Sequence, residues 1–339
     1  MTVLPLSAGP ATVSADEPRA LTHRIGLADH VFRGVARGAG ATVLVIMSAI
    51  GLFLAYRAGQ ALDVAGLDFV TTQAWEPDSG NFGIAAVLTG TVIIAAVAVF
   101  FAVPLSLAVA LYISEYAPGR LKRTFIALVD LMAAVPSIVY GLWGFYFLQY
   151  QITGTSRWIA TYFGWVPFLD VESADPSDPL SPSTVYTSSA FIAGIVVALM
   201  VSPIMCSVMR EVFSQAPAGE REGALALGAT RWGMIRTVVL PFGKGGIIGG
   251  TMLGLGRALG ETIAVFLIIS PVFVIQPNIL ENGTNSVSAL IALRYGEATQ
   301  IGTSALMAAG LALFALTLVV NFAASTVVAR SRSGAESDA

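Results

Sequence analysis

Six apolar stretches constrain this chain more than anything else in it. Each is near or above the ~20 residues that a helix needs to cross a bilayer. They lie at about 36–56, 83–113, 125–149, 189–213, 245–274 and 303–329. Inside hydrocarbon only helices and closed barrels satisfy every backbone N–H and C=O. None of the stretches shows the short alternating segments of a barrel strand. The expected fold is therefore an all-α membrane protein with six transmembrane helices. Pro104 in the second stretch predicts a kink or tilt, and Pro136, in AAVPSIVYG of the third, predicts another irregularity.

Charge gives the sidedness. Charged residues are 12% of the 339, about half the share in a soluble domain, and they are not spread evenly. Fourteen of the 18 Lys and Arg fall on one side of the six-span arrangement. They include Arg33 and Arg37, then Arg120, Lys122 and Arg123, then Arg210, Arg221, Arg231, Arg236 and Lys244, and finally Arg330 and Arg332. The opposite loops carry Asp63, Asp68, Glu76, Asp78, Asp170, Glu172, Asp175 and Asp178, with Arg57, Arg157 and Arg294 as their basic residues. Positive loops stay inside, so both termini are expected in the cytoplasm. The sequence divides into a cytoplasmic tail over 1–32, a first transmembrane helix and outer loop over 33–82, a transmembrane domain over 83–328 and a C-terminal tail over 329–339. The first 32 residues lack the apolar core and cleavage site of a signal peptide and suggest a mobile tail with a surface helix. The outer loop 150–188, acidic and ending in DPSDPLSPS, suits either a flexible linker or a lip for an extracytoplasmic partner.

The residue inventory argues against catalysis. The single cysteine, Cys206, sits in an apolar stretch and has no partner for an internal disulfide. The two histidines, His23 and His30, are both in the tail. No phosphate-binding loop occurs, because Gly243-Lys244 lacks the upstream glycine spacing and the following Ser or Thr. No cofactor and no nucleic-acid partner is implied.

Two segments carry unusual chemistry. The first, Pro217–Pro241, is polar and basic. Pro217 suits a first helical turn, and Glu220 and Glu222 favour the positive end of its dipole. Gly228 fits a left-handed stop and Thr230 a cap for a second helix that Pro241 would end. Two such helices form a knob at the membrane surface. The second segment is the fifth stretch, which is apolar yet holds Arg257 and Glu261. A charge at that depth costs at least ~2.5–3.5 kcal/mol. At about 100° per residue, Gly246, Gly250, Gly254, Arg257 and Glu261 share one helical face. The charged pair is then either a buried ion pair that fixes register or an anion site, since a guanidinium matches phosphate oxygens bidentately.

The knob resembles the EAA signature of ABC importer permeases: Glu-Ala-Ala, three residues, Gly, nine residues, then Ile-x-Leu-Pro. Here it reads Glu222-Gly223-Ala224, Gly228 and Val238-Val239-Leu240-Pro241, departing at Gly223 and Val238. GLGRALGETIAV is similar to the fifth-span motif of phosphate-specific ABC importer permeases, and AAVPSIVYG to a third-span segment of the same family. The GETIAV ending and the long outer loop resemble the PstC-type more than the PstA-type subunit. The resemblance implies the type I importer permease (MetI-like) fold in a bacterial inner membrane. It implies a coupling helix at Glu222, Gly223, Ala224 and Gly228 that docks on a cytoplasmic ATPase. It also implies a role for Arg257 and Glu261, and for these two residues only, in phosphate translocation. Beside them, Ser137 and Tyr140 are weaker candidates for lining the path and could equally bond backbone near Pro136. The implied partners are a PstA-type permease, two copies of a PstB-type ATPase that binds ATP and Mg, and a PstS-type binding protein, all within membrane lipid. A secondary anion transporter or channel, and a membrane scaffold for phosphate sensing, stay open as alternatives.

Overall fold

The computed structural model describes residues 26–332. Most of the expected tail 1–32, and of the tail 329–339, lies outside the described residues. The helices are α1 (Leu27–Ala65), α2 (Ala85–Leu111), α3 (Gly119–Ala134), α4 (Ser137–Trp143), α5 (Gln149–Phe163), α6 (Ala190–Ser214), α7 (Ala218–Ala226), α8 (Arg231–Met234), α9 (Leu240–Leu259), α10 (Ile263–Ile268), α11 (Val287–Arg294) and α12 (Gln300–Arg332). A short antiparallel ribbon pairs β1 (Trp75–Glu76) with β2 (Asn81–Phe82). The chain forms two units, one ending at Ile50 and the other running from Gly51. In the first, every described side chain from Ala28 to Ile50 is exposed, including Leu44 and Ile46. An apolar helix that buries nothing within its own unit presents itself to lipid or to another subunit. Apart from the count of spans, all that follows concerns the second unit.

Five helical runs are long and apolar enough to cross a membrane: Ala28–Val70, Ala85–Tyr116, Ala190–Ser214, Arg231–Leu259 and Gln300–Ala323. A sixth is assembled from α3 followed by α4 and α5, bent by 87° at the break. The expected single span at 125–149 is thus a broken one. Pro136 has no N–H to donate and pushes Val135 out of the helical region, to φ −66° and ψ 128°. The bend is larger than an ordinary proline kink because α3 ends there and α4 starts afresh.

The expected fifth span, 245–274, is displaced in the same physical terms. Pro241 does not end a helix. A π-turn over Ile235–Val239, closed by Leu240 N–H to the Ile235 carbonyl, leads directly into α9 with Pro241 in its first turn. The wider turn accommodates the proline ring, so one run continues from Arg231 to Leu259. It stops at Gly260, whose ψ of 0° leaves the helical path. The chain resumes as the short α10 and then runs without helix from Ile269 to Ser286. Here Asn278, Glu281, Thr284, Asn285 and Ser286 are all buried.

The core forms where α6 packs between α2 and α9. Its side chains include Ile94, Ala98, Val197, Met205 and Phe213. Small residues set the spacing. A Cβ on Gly246 would stand 2.6 Å from Val212, and one on Gly250 3.2 Å from the Met205 carbonyl. The glycine face read from the sequence is therefore the face that meets α6, as small-residue stripes do between membrane helices. Ser106 ties α2 to α6 by donating to the Ser202 carbonyl at 2.9 Å.

The outer loop after α5 is packed rather than slack. Val171, Val185, Tyr186, Phe191 and Leu280 make a cluster of their own. Arg157 donates from Nε to the Pro176 carbonyl at 2.9 Å and from its other end to the Asp178 carbonyl. Glu281, itself buried, accepts from Ser173 N and Oγ at 2.8 and 2.7 Å and from Gln276 Nε2 at 2.6 Å.

Candidate translocation site and coupling surface

Arg257 lies two residues before the end of α9 and is exposed from the chain. It opens on a cleft of about 640 Å³ between α9 and α12, lined also by Ile204, Met252, Leu253, Thr317 and Asn321. Gly249 and Gly256 complete the wall and keep it wide. The cleft joins one fixed cation to a largely apolar lining. In such surroundings a charge attracts an anion far more strongly than it would in water.

Glu261 is not on that face. The helical wheel assumed that α9 continues, but the turn at Gly260 carries Glu261 inward, where it is 8% exposed. Its Oε1 accepts from Ala264 N at 3.2 Å, so the carboxylate caps the first turn of α10. Its backbone carbonyl accepts from Ser288 Oγ at 2.7 Å. Among the described residues no ion pair joins Glu261 to Arg257; those found are Arg221–Glu115 and Arg294–Glu297. The expected reach between the two charges is corrected accordingly.

Ser137 is half-buried at the start of α4. The Tyr140 hydroxyl donates to the Met132 carbonyl at 3.0 Å, across the Pro136 break. That is the backbone role the sequence left open beside a path-lining one.

The knob follows local rules closely. Ala229 N donates to the Ala224 carbonyl at 3.1 Å and Gly228 N to Leu225 at 2.9 Å, the paired bonds of a Schellman stop. Gly228 takes φ 87°. Thr230 Oγ1 accepts from Gly233 N at 3.1 Å and caps α8. Glu222 and Gly223 are exposed, and Gly223 has open space on its Cβ side. Leu225, Leu227 and Trp232 are exposed apolar neighbours, with Leu227 at 92%. Ala224 is half-buried and packs against the main core.

One contact of the knob carried no sequence signal. Arg221 NH2 stands 3.3 Å from Glu115 Oε1, in the π-turn Tyr112–Tyr116 that ends α2, and also donates to the Phe213 carbonyl near the end of α6. The Glu115 contact is ionic rather than an aligned hydrogen bond, since Oε1 has no donor in hydrogen-bond geometry. The Glu115 side chain is 4% exposed and that of Arg221 22%.

The family model for "Binding-protein-dependent transport system inner membrane component" matches residues 102–333, more than half of the chain. The PstC 2 phosphate transport system permease of Mycobacterium tuberculosis is 36% identical over 310 residues, covering 90% of this chain and 93% of that one. The PstC of Xylella fastidiosa is 36% identical over 294 residues, 86% and 88% of the two chains. The chain is a binding-protein-dependent transport permease of the PstC family. It is a transport subunit and not an enzyme. Among solved structures, the alginate ABC transporter in complex with its pentasaccharide-bound periplasmic protein aligns with a TM-score of 0.58, at 17% identity. That alignment covers 90% of the permease and 97% of the solved chain. An inward-facing MetNI methionine transporter aligns at 0.51 over 73% and 97%, at 16% identity. At such identities these structures establish the fold, which is that of the type I ABC importer permeases.

Proposed function

We propose that this permease forms one half of the membrane path of an ATP-driven importer for inorganic phosphate. The observation that carries the reading is the Arg257 guanidinium held open to a cleft inside a membrane-spanning helix. The likeness to permeases named for phosphate transport supports the substrate. A second, PstA-type permease closes the cleft from the other side. A PstS-type protein delivers phosphate at the outer loops, and two PstB-type ATPases sit beneath the knob. Both termini then lie in the cytoplasm of a bacterium, and residues 83–328 form the transporting domain.

Alternating access follows from the parts. ATP closes the ATPase pair, and Glu222, Gly223, Ala224 and Gly228 move with the groove that holds them. Arg221 transmits the displacement to the ends of α2 and α6, and the path opens outward. Phosphate passes Arg257 and leaves inward after hydrolysis. Glu261 acts indirectly, by fixing the start of α10 just beyond the arginine. Ser137 and Tyr140 shape the bend opposite. Labelled-phosphate uptake by Arg257→Gln in the assembled transporter tests the reading. Uptake should vanish while the complex stays assembled; wild-type uptake would remove Arg257 from the path.

A further inference from the structure

The cleft beside Arg257 has a second wall, on α12, that no motif of the sequence marked. Asn321 there interrupts the apolar run Leu318-Val319-Val320 and Phe322-Ala323. Its Oδ1 lies 3.7 Å from where a Cβ on Gly256 would stand, so the amide rests against α9 one residue from Arg257. The other polar groups on this part of α12 are already engaged with their own helix. Thr317 Oγ1 donates to the Phe314 carbonyl at 2.8 Å, and Ser325 and Thr326 donate to the Phe322 carbonyl at 2.8 and 2.9 Å. Among the described residues no hydrogen bond engages the Asn321 amide, so its donors and acceptor are available to the cleft.

We propose that Asn321 is a second translocation residue, holding the anion together with Arg257. The proposal rests on the assignment of Arg257 to the phosphate path. A guanidinium alone only donates and takes any oxyanion. A carboxamide both donates and accepts. Its N–H₂ meets one phosphate oxygen, and its carbonyl takes the proton of a P–OH group. Hydrogen phosphate carries such a proton at neutral pH and sulfate does not. The pair therefore favours hydrogen phosphate over a fully deprotonated oxyanion. Neutrality matters equally. A second cation would hold a divalent anion too tightly for release, whereas passage needs sites weak enough to leave.

The test is phosphate uptake by the complete transporter in proteoliposomes, with ATP inside and the binding protein outside. Asn321→Leu should lower the maximal rate about tenfold or more, the equivalent of one hydrogen bond to a charged group. The half-saturation concentration, set by the binding protein, should not change. Asn321→Asp should be worse, because its carboxylate neutralises Arg257, and Asn321→Gln should keep most of the rate. If Asn321→Leu transports normally while Arg257→Gln is dead, Asn321 leaves the path and the arginine stays. If Arg257→Gln also transports, the path itself is misplaced. If Asn321→Leu breaks up the complex on gel filtration, the amide is a contact between helices and the proposal is wrong.

Discussion

At Gly228 the backbone takes φ 87° in open space, so a side chain there meets no neighbour and suffers only the left-handed penalty. That penalty is roughly 1–2 kcal/mol for an L residue. Gly228→Ala should therefore leave the complex folded while loosening the stop between α7 and α8. The expected sign is ATP hydrolysis continuing with less phosphate carried per ATP. Unchanged stoichiometry would show that the stop does not set the coupling. Gly90 is the opposite case. Its backbone is ordinary, but a Cβ would overlap the Asn285 carbonyl in the buried non-helical segment. Gly90→Ala must push that segment aside, a strain of about 1–3 kcal/mol, and the thermal midpoint in detergent should fall. Gly228 was legible in the sequence because a helix stop is a local event. Gly90 was not, because its partner is remote along the chain. Glu261 was misplaced because a helical wheel is valid only while the helix lasts, and Gly260 ends it.

Elements show the same division between local and remote causes. Thr230 and the Pro136 break were readable from the residues next to them, whereas the continuity of α8 into α9 was not. It depends on a π-turn, which has no sequence signature comparable to a cap or a glycine stop. The link of α7 to α2 and α6 through Arg221 is likewise invisible without the fold. Removing one partner of a buried ion pair costs about 3–5 kcal/mol, and less here because Arg221 is partly exposed. Glu115→Gln should lower stability by less than that range and, more tellingly, separate hydrolysis from uptake. Coupled transport at the normal ratio in Glu115→Gln would deny the link any part in transmission. In the outer loop Asp175 is exposed, yet its carboxyl is held below the usual range, first by the Ser177 hydroxyl and then by the Ser177 N–H. A lowered carboxylate pKa stabilises the loop above its ordinary value of 3.8 and loses that stabilisation only as pH falls further. Amide protection factors over 173–182, each taken against the intrinsic exchange rate at its own pH, should therefore match at pH 7 and pH 5. A lower protection factor at pH 5 would mean another group holds the loop.

The chain as a whole offers an arginine cleft and an exposed knob of two short helices. It has no phosphate-binding loop for a nucleotide, and among the described residues no cluster that could hold a metal. On the reading proposed above, the free energy for uphill movement comes from phosphoryl transfer in a partner. The spans were legible because hydropathy reports on the bilayer directly: five helical runs are long and apolar enough to cross it, and the bent α3–α5 pair makes a sixth if it counts as one span. What the other half of the path looks like was not, because Arg257 is exposed from this chain and, on the reading proposed above, a facing wall belongs to another subunit. An unpartnered cleft should also be unable to gate. The permease alone in liposomes should then neither hydrolyse ATP nor accumulate phosphate against a gradient. Adding the second permease, the ATPase and the binding protein should restore both activities together. Sustained accumulation by the single chain under an ion gradient would instead identify a secondary transporter. A passive phosphate current through it would identify a channel.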